Sequence, residues 1–147
     1  MSFTVGIFLP LLLPTWLLLG LARLAVLTVP FRWIAPWLGQ QAGTTPVVPP
    51  VTDGQADMAL AIGRSIRIAA CYTPWDSLCQ PQALVARFWL ARYGIPCVVN
   101  YGVKRNDAGG LDAHAWVCAG PVAVTGGDAG QDFTVVRSFI EPAGTGR

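Results

Sequence analysis

The sequence predicts an α+β fold in which N-terminal helices precede an antiparallel sheet. Up to about residue 94, apolar side chains recur at three- and four-residue spacing, which is typical of helices. After Ile95 they alternate with a period of two, which is typical of strands. The segments between the predicted strands are short and rich in Gly, Asp and Asn, and such connections favour antiparallel pairing.

The composition bounds the class of protein. The 147 residues suit one modest domain. Hydrophobic residues make up 53% of the chain and charged residues only 12%, against about 25% charged residues in an average globular protein. The net charge of +2 is too small to indicate a nucleic-acid-binding surface, so no nucleic-acid partner is expected.

The excess of apolar residues lies at the start of the chain. Residues 1–22 carry no charge and are long enough to span a bilayer, but Pro10 and Pro14 interrupt them. No basic residue precedes this stretch, so it makes a poor secretory signal. We expect an apolar helical segment over 1–39 that packs on the protein or lies on a membrane surface. A true span and a leader sequence are the alternatives.

The rest of the chain divides into a linker and a domain. Residues 40–54 are rich in Pro, Thr and Gly and are interpreted as the linker, which leaves a domain at 55–147. Helices are predicted near 55–71 and from the Ser77–Gln80 capping box to Gly94, with Asp76 as an alternative cap. In the second of these helices Val85, Phe88 and Trp89 form an apolar stripe, and Arg87 is expected to point away from it. The predicted strands are 97–105, 111–119, 122–125 and 133–140.

The four cysteines do not have metal-ligand spacing. They stand at positions 71, 79, 97 and 118 without a C-x-x-C pair, and the chain has one histidine, so no metal site is predicted. Without a convincing secretory signal, reduced thiols in a cytoplasmic compartment are expected. No phosphate-binding loop of the G-x-x-x-x-G-K-[ST] type occurs, and no cofactor is predicted.

Cys79 is the best candidate nucleophile among the cysteines. It lies in the first turn of a predicted helix, where unpaired N–H groups and the positive end of the helix dipole stabilise a thiolate or an oxyanion. Cys71, near a helix C-terminus, lies in the opposite field. A buried cysteine that serves as a small apolar residue is the alternative interpretation.

His114 is the ordinary candidate for a base, since the chain has no other histidine. Strand alternation puts Asp112, His114 and Trp116 on one face of the second strand. The base needs an acceptor that orients it. Asp128 is ranked first for this role, Asp132 second and Asp112 third, because a side chain two residues along the strand lies beside the ring rather than behind it.

Three segments then resemble a known family. They are "TPWDSLCQPQALVARFWLARYGIP", "YGVKRNDAGGLDAHAWV" and "VTGGDAGQDFTVVRSF", within about Ile62 to Ile140. Together they resemble the leader peptidases of lasso-peptide biosynthesis, the B proteins of the transglutaminase-like cysteine protease superfamily. The resemblance implies a papain-like Cys–His–Asp set with Cys79 and His114 in the motif positions. Glycines stand where the acid is expected, with Asp128 just beyond, so Asp128, water or a backbone carbonyl is implied.

The resemblance also implies a function and partners. The expected activity is removal of the leader peptide from a lasso-peptide precursor, which frees the core N-terminus for cyclisation. The first 50 residues are too apolar for a soluble leader-recognition domain, so the split form is expected, with a separate recognition protein and a lasso cyclase as partners. The alternatives are another transglutaminase-like amidase or acyltransferase, and a non-catalytic membrane-associated scaffold.

Overall fold

Apart from the two-residue strand at Gln40–Gln41, the helices precede the strands along the chain, as the sequence predicts. A computed structural model describes residues 2–38, 40–41, 50–73, 79–126 and 133–141. The helices are α1 (Ser2–Thr28), α2 (Phe31–Leu38), α3 (Asp53–Cys71) and α4 (Cys79–Arg92). The strands are β1 (Gln40–Gln41), β2 (Cys97–Arg105), β3 (Leu111–Ala119), β4 (Val122–Thr125) and β5 (Thr134–Glu141).

The strands form one antiparallel sheet in the order β1-β5-β2-β3-β4. Consecutive strands pair in the β2–β3 and β3–β4 hairpins, as short connections favour. β5 instead pairs with β2, so β4 and β5 lie on opposite sides of the β2–β3 pair. Cys97 to Asn100 are all buried, which suits a central strand with a neighbour on each side.

Helix α3 begins with a complete capping box. The Thr52 hydroxyl accepts from the Gln55 N–H at 3.1 Å, and the Gln55 side chain accepts from the Thr52 N–H at 2.9 Å. The capping residue therefore lies within the stretch interpreted as linker. Further along, Gly63 allows α3 to approach β4 closely, because a Cβ there would stand 2.6 Å from the Val124 carbonyl oxygen.

Helix α4 packs against the sheet and against α1 and α3, and its Arg87 side chain contacts the end of α2. The expectation that Arg87 points away from the apolar face is wrong, since Arg87 is 5% exposed. Its Nε donates to the Leu38 carbonyl at 3.1 Å, and its guanidinium lies 5.1 Å from the centre of the Trp37 ring. A buried arginine is tolerated here because it satisfies a C-terminal carbonyl of α2 and stacks on an aromatic ring.

Helix α1 packs along the protein body. Its buried residues recur every three or four positions: Leu11, Thr15, Leu19 and Ala22. The Trp89 indole donates to the Thr15 hydroxyl at 3.0 Å, and the Trp16 indole donates to the Tyr72 carbonyl at 3.1 Å. The helix continues through both Pro10 and Pro14. Packing against α3 and α4 compensates for the two missing backbone donors.

The outward face of α1 is strongly apolar. Five leucines on it are exposed, namely Leu13, Leu17, Leu21, Leu24 and Leu27. Within the described chain, one helical stretch, Pro10–Thr28, is long and apolar enough to cross a membrane, and 17% of it is buried in the protein. Length and composition of this kind also occur in core helices of soluble proteins, so they establish no location.

Candidate active site

The Cys79 side chain lies at the start of α4. The residue is the first of the helix and is half-buried. At this end the first backbone N–H groups have no partner within the helix. Pro81 follows within the first turn, as predicted, where its missing N–H costs no helical hydrogen bond. The expected caps Asp76 and Ser77 lie outside the described residues.

His114 is held on β3 by aromatic neighbours. Its ring stacks on Trp116, with 5.8 Å between ring centres, and lies 5.1 Å from the ring of Phe133. Gly102 is the cross-strand partner of His114, and a Cβ on Gly102 would stand 2.8 Å from the Trp116 ring. The glycine therefore leaves space for the Trp116 side chain, which is buried and keeps the imidazole in place.

One pocket brings the two candidate residues together. Cys79 and His114 both line a pocket of about 280 Å³, with Gln80, Pro81 and Tyr101 beside them. In the described chain no hydrogen bond joins the Cys79 thiol to the His114 ring. In active sites without substrate, catalytic hydrogen bonds are often long or poorly aligned and tighten as the substrate binds.

The carbonyl group of Gly126 lies behind the imidazole. Its oxygen is 3.4 Å from His114 Nε2, a long contact that becomes a weak hydrogen bond when Nε2 carries the proton. That tautomer leaves Nδ1 free to accept a proton. Asp128 and Asp132 lie outside the described residues. The residues that flank them in the structure, Gly126 and Phe133, both contact His114.

Asp112 is engaged elsewhere. Its carboxylate accepts a hydrogen bond from the Asn106 side chain at 3.0 Å in the β2–β3 turn, and the residue is exposed. It makes no contact with the His114 ring in the described chain. The ranking of Asp112 behind Asp128 and Asp132 stays a prediction.

The other cysteines lie away from this pocket. The four cysteines form no disulfide in the described chain, and Cys71 is exposed while Cys97 is buried. Burial raises the pKa of the Cys118 thiol, which makes it a poor source of thiolate. Among the described residues, no group of three His, Cys, Asp or Glu side chains is arranged to hold a metal ion.

Two parts of the site were not identified from the sequence. The first is Tyr101, which lines the pocket with a buried hydroxyl. The β2–β3 register, counted outward from the turn, would have placed it opposite Ala115 and near the histidine. The second is the last part of α1, where Arg23, Val26 and Leu27 form a wall of the pocket. No local pattern in the sequence indicates that contact.

A helix-borne thiol and a strand-borne imidazole around one pocket define a candidate cysteine–histidine site in an α+β fold. Residues 25–138 match the family model described as the transglutaminase-like superfamily. The match covers more than half of the chain, so the chain belongs to this superfamily, which includes cysteine peptidases and acyltransferases. The predicted fold class is thereby confirmed. Comparisons with curated proteins and with solved structures gave no significant match.

Gly126 provides a test of the site geometry. Its φ is +84°, and a Cβ there would stand 2.4 Å from the Trp116 Cβ and 3.1 Å from His114 Nε2. We expect Gly126→Ala to lower the free energy of unfolding by about 1–3 kcal/mol for backbone strain, with a further contribution of about 1–3 kcal/mol from overpacking. Urea denaturation measures the loss, and the NMR signals of the single imidazole should move.

The matched control is Gly94→Ala. Gly94 also has a positive φ, +68°, but nothing lies within 4 Å of its Cβ position. This variant should show the backbone strain alone and leave the imidazole signals in place. Equal losses of stability in the two variants, with unchanged imidazole signals, would contradict the described packing around His114.

Proposed function

We propose that this protein is a cysteine peptidase that removes the leader peptide from a lasso-peptide precursor. The observation that carries the proposal is the common pocket of Cys79 and His114 in a chain of the transglutaminase-like superfamily. The finer identity of the substrate rests on the resemblance of the three sequence segments to lasso-peptide B proteins. Acyl transfer through a cysteine is the chemistry that this pair of residues supplies.

The reaction proceeds in two steps. His114 takes the proton of the Cys79 thiol, and the resulting thiolate attacks the carbonyl carbon at the leader–core junction while the carbonyl electron pair moves to oxygen. The C–N bond then breaks as His114 protonates the departing amine, which becomes the new N-terminus of the core. In the second step His114 removes a proton from water, and the resulting hydroxide releases the leader from the sulfur.

The orienting group behind His114 remains a prediction. Asp128 is the first choice, because the residues that flank its segment in the structure contact His114. The Gly126 carbonyl is the alternative that the described residues offer. Either acceptor fixes the tautomer in which the other ring nitrogen faces the reaction.

The surroundings of the pocket suit an extended peptide. Val26 and Leu27 of α1 form an apolar wall, and Arg23 adds a cation to it. About 280 Å³ is room for a side chain or two rather than for a folded substrate. One or two side chains of an unstructured leader–core junction would fit in this pocket.

We also propose two partners and a location. The partners are those that the resemblance to lasso-peptide B proteins implies: a separate recognition protein that delivers the leader, and a lasso cyclase that takes the freed core. The exposed leucines of α1, with Trp33 and Trp37, suit a cytoplasmic membrane surface. No acidic residue precedes Asp53, which favours contact with anionic lipid headgroups.

Substitution of the two central residues tests the activity. Cys79→Ala and His114→Ala should each abolish leader removal, because one removes the nucleophile and the other the only histidine. Purified protein is mixed with precursor and recognition protein, and the products are read by mass spectrometry. Circular dichroism confirms that each variant is folded.

Cys118→Ala is the matched control, since it removes another partly buried thiol and should leave cleavage intact. Cleavage by Cys79→Ala protein would rule out the proposed mechanism. Labelling of Cys79 by electrophiles without any cleavage of precursor would instead point to an amidase or acyltransferase with another substrate.

Binding to lipid vesicles tests the location. The wild-type protein should sediment with vesicles that contain anionic lipid and be released by high salt and high pH. Leu17→Glu with Leu21→Glu should abolish binding, because charge is placed on the exposed apolar face of α1. Leu111→Glu, at an equally exposed leucine on β3, is the control and should still bind. Resistance to washing would contradict surface attachment, and binding by the double variant would contradict this face.

A further inference from the structure

The hydroxyl group of Tyr101 makes no interaction that stabilises the fold. Its hydroxyl is buried and has no hydrogen-bond partner in the described chain. A buried hydroxyl without a partner costs roughly 1–3 kcal/mol. The ring itself is held by edge-to-face contacts with Phe31 and Phe139, at 5.3 and 6.0 Å between ring centres. The side chain is thus fixed, while its polar end is unsatisfied.

Tyr101 and the candidate nucleophile belong to one pocket, which His114 also lines. Burial, opposed by the Gln80 side chain and reinforced by the charge of the Cys79 thiolate, raises the pKa of Tyr101 to about 12. The phenol therefore keeps its proton at every pH at which a cysteine enzyme works, and it is a permanent hydrogen-bond donor.

The Tyr101 hydroxyl has no hydrogen-bond acceptor among the described residues. Gln80 lines the same pocket but does not reach hydrogen-bond geometry with the phenol oxygen. A hydrogen-bond acceptor bound in this pocket beside Cys79 would satisfy the hydroxyl.

We propose that the Tyr101 hydroxyl is the second donor of the oxyanion hole, together with the backbone N–H of Cys79. When the sulfur bonds to the carbonyl carbon, the carbonyl electron pair moves to oxygen, and this oxyanion is attached to the carbon beside the sulfur. Tyr101 donates a hydrogen bond to it without giving up its proton. When the C–N bond breaks, the electron pair returns to re-form the carbonyl group. This inference rests on the proposed function, since it requires Cys79 as the nucleophile.

Two reactions of Cys79 distinguish a donor to the oxyanion from a residue that acts on the thiolate or on the fold. Acylation by p-nitrophenyl acetate passes through an oxyanion, whereas alkylation by iodoacetamide does not. Tyr101→Phe should slow acylation about 10²–10³-fold, the usual effect of removing one oxyanion donor. Its alkylation rate should equal that of the wild-type protein. Both reactions are followed by mass mapping of the Cys79 peptide, because three other thiols are present.

Stability gives an independent reading. Tyr101→Phe removes a buried hydroxyl without a partner, so the free energy of unfolding should stay the same or rise while acylation falls. Tyr93→Phe is the control: Tyr93 is exposed, packs on Trp89 after α4 and should change neither reaction.

The other outcomes overturn the inference. Equal acylation rates in wild-type and Tyr101→Phe protein would show that the hydroxyl does not contact the oxyanion. An equal fall in the acylation and alkylation rates would show that Tyr101 stabilises the thiolate or the fold rather than the oxyanion. If wild-type Cys79 is alkylated but never acylated, the nucleophile itself is wrong, and the proposed function fails rather than the assignment of its second donor.

Discussion

The packing of α4 against the β2–β3 hairpin is the constraint on which the site depends. Small residues of the helix, Ala83 and Ala86, and the strand residues Val99 and Val117 are completely buried in one core. Alanines let the helix lie close to the sheet, and burial of the valines contributes about 1.5–3 kcal/mol for each side chain. Because this packing fixes the start of α4 relative to β3, the thiol and the imidazole open onto the same pocket.

The N-terminal helix has two faces with different consequences. The inner face packs on α3 and α4 through Thr15, Trp16 and Leu19, and its last turns form a wall of the pocket. The outer face exposes leucines that a soluble surface does not require. The same helix therefore contributes both to the pocket of Cys79 and His114 and to the exposed apolar surface.

Local patterns in the sequence predicted most of the fold. The bounds of β2, β3 and β4 agree with the prediction, because Gly, Asp and Asn mark their turns and because alternation is unambiguous in strands. The pairing of β5 with β2 rather than with β4 could not be predicted from local sequence patterns, because it depends on contacts between residues far apart in the chain. Arg87 was misjudged for a related reason. A charged residue is expected outside, and only the tertiary contact with the Leu38 carbonyl makes its burial favourable.

The candidate site was predictable only in part. Cys79 stood out because helix termini have a known field, and His114 because it is the sole histidine. The acid is not determined by such arguments, since several carboxylates lie near in sequence and only geometry selects among them. Tyr101 was missed because a tyrosine in a strand is most often a packing residue, and the unsatisfied state of its hydroxyl is visible only in three dimensions.

Cross-linking with 1,3-dibromoacetone tests the central claim most directly, because this short reagent joins a thiolate to an imidazole only when the two lie side by side. With a single histidine in the chain, mass mapping of the digested protein identifies the product without ambiguity. The account predicts one cross-linked peptide pair that contains Cys79 and His114. Reagent attached to Cys79 with its second arm hydrolysed, or joined to a different residue, would contradict it.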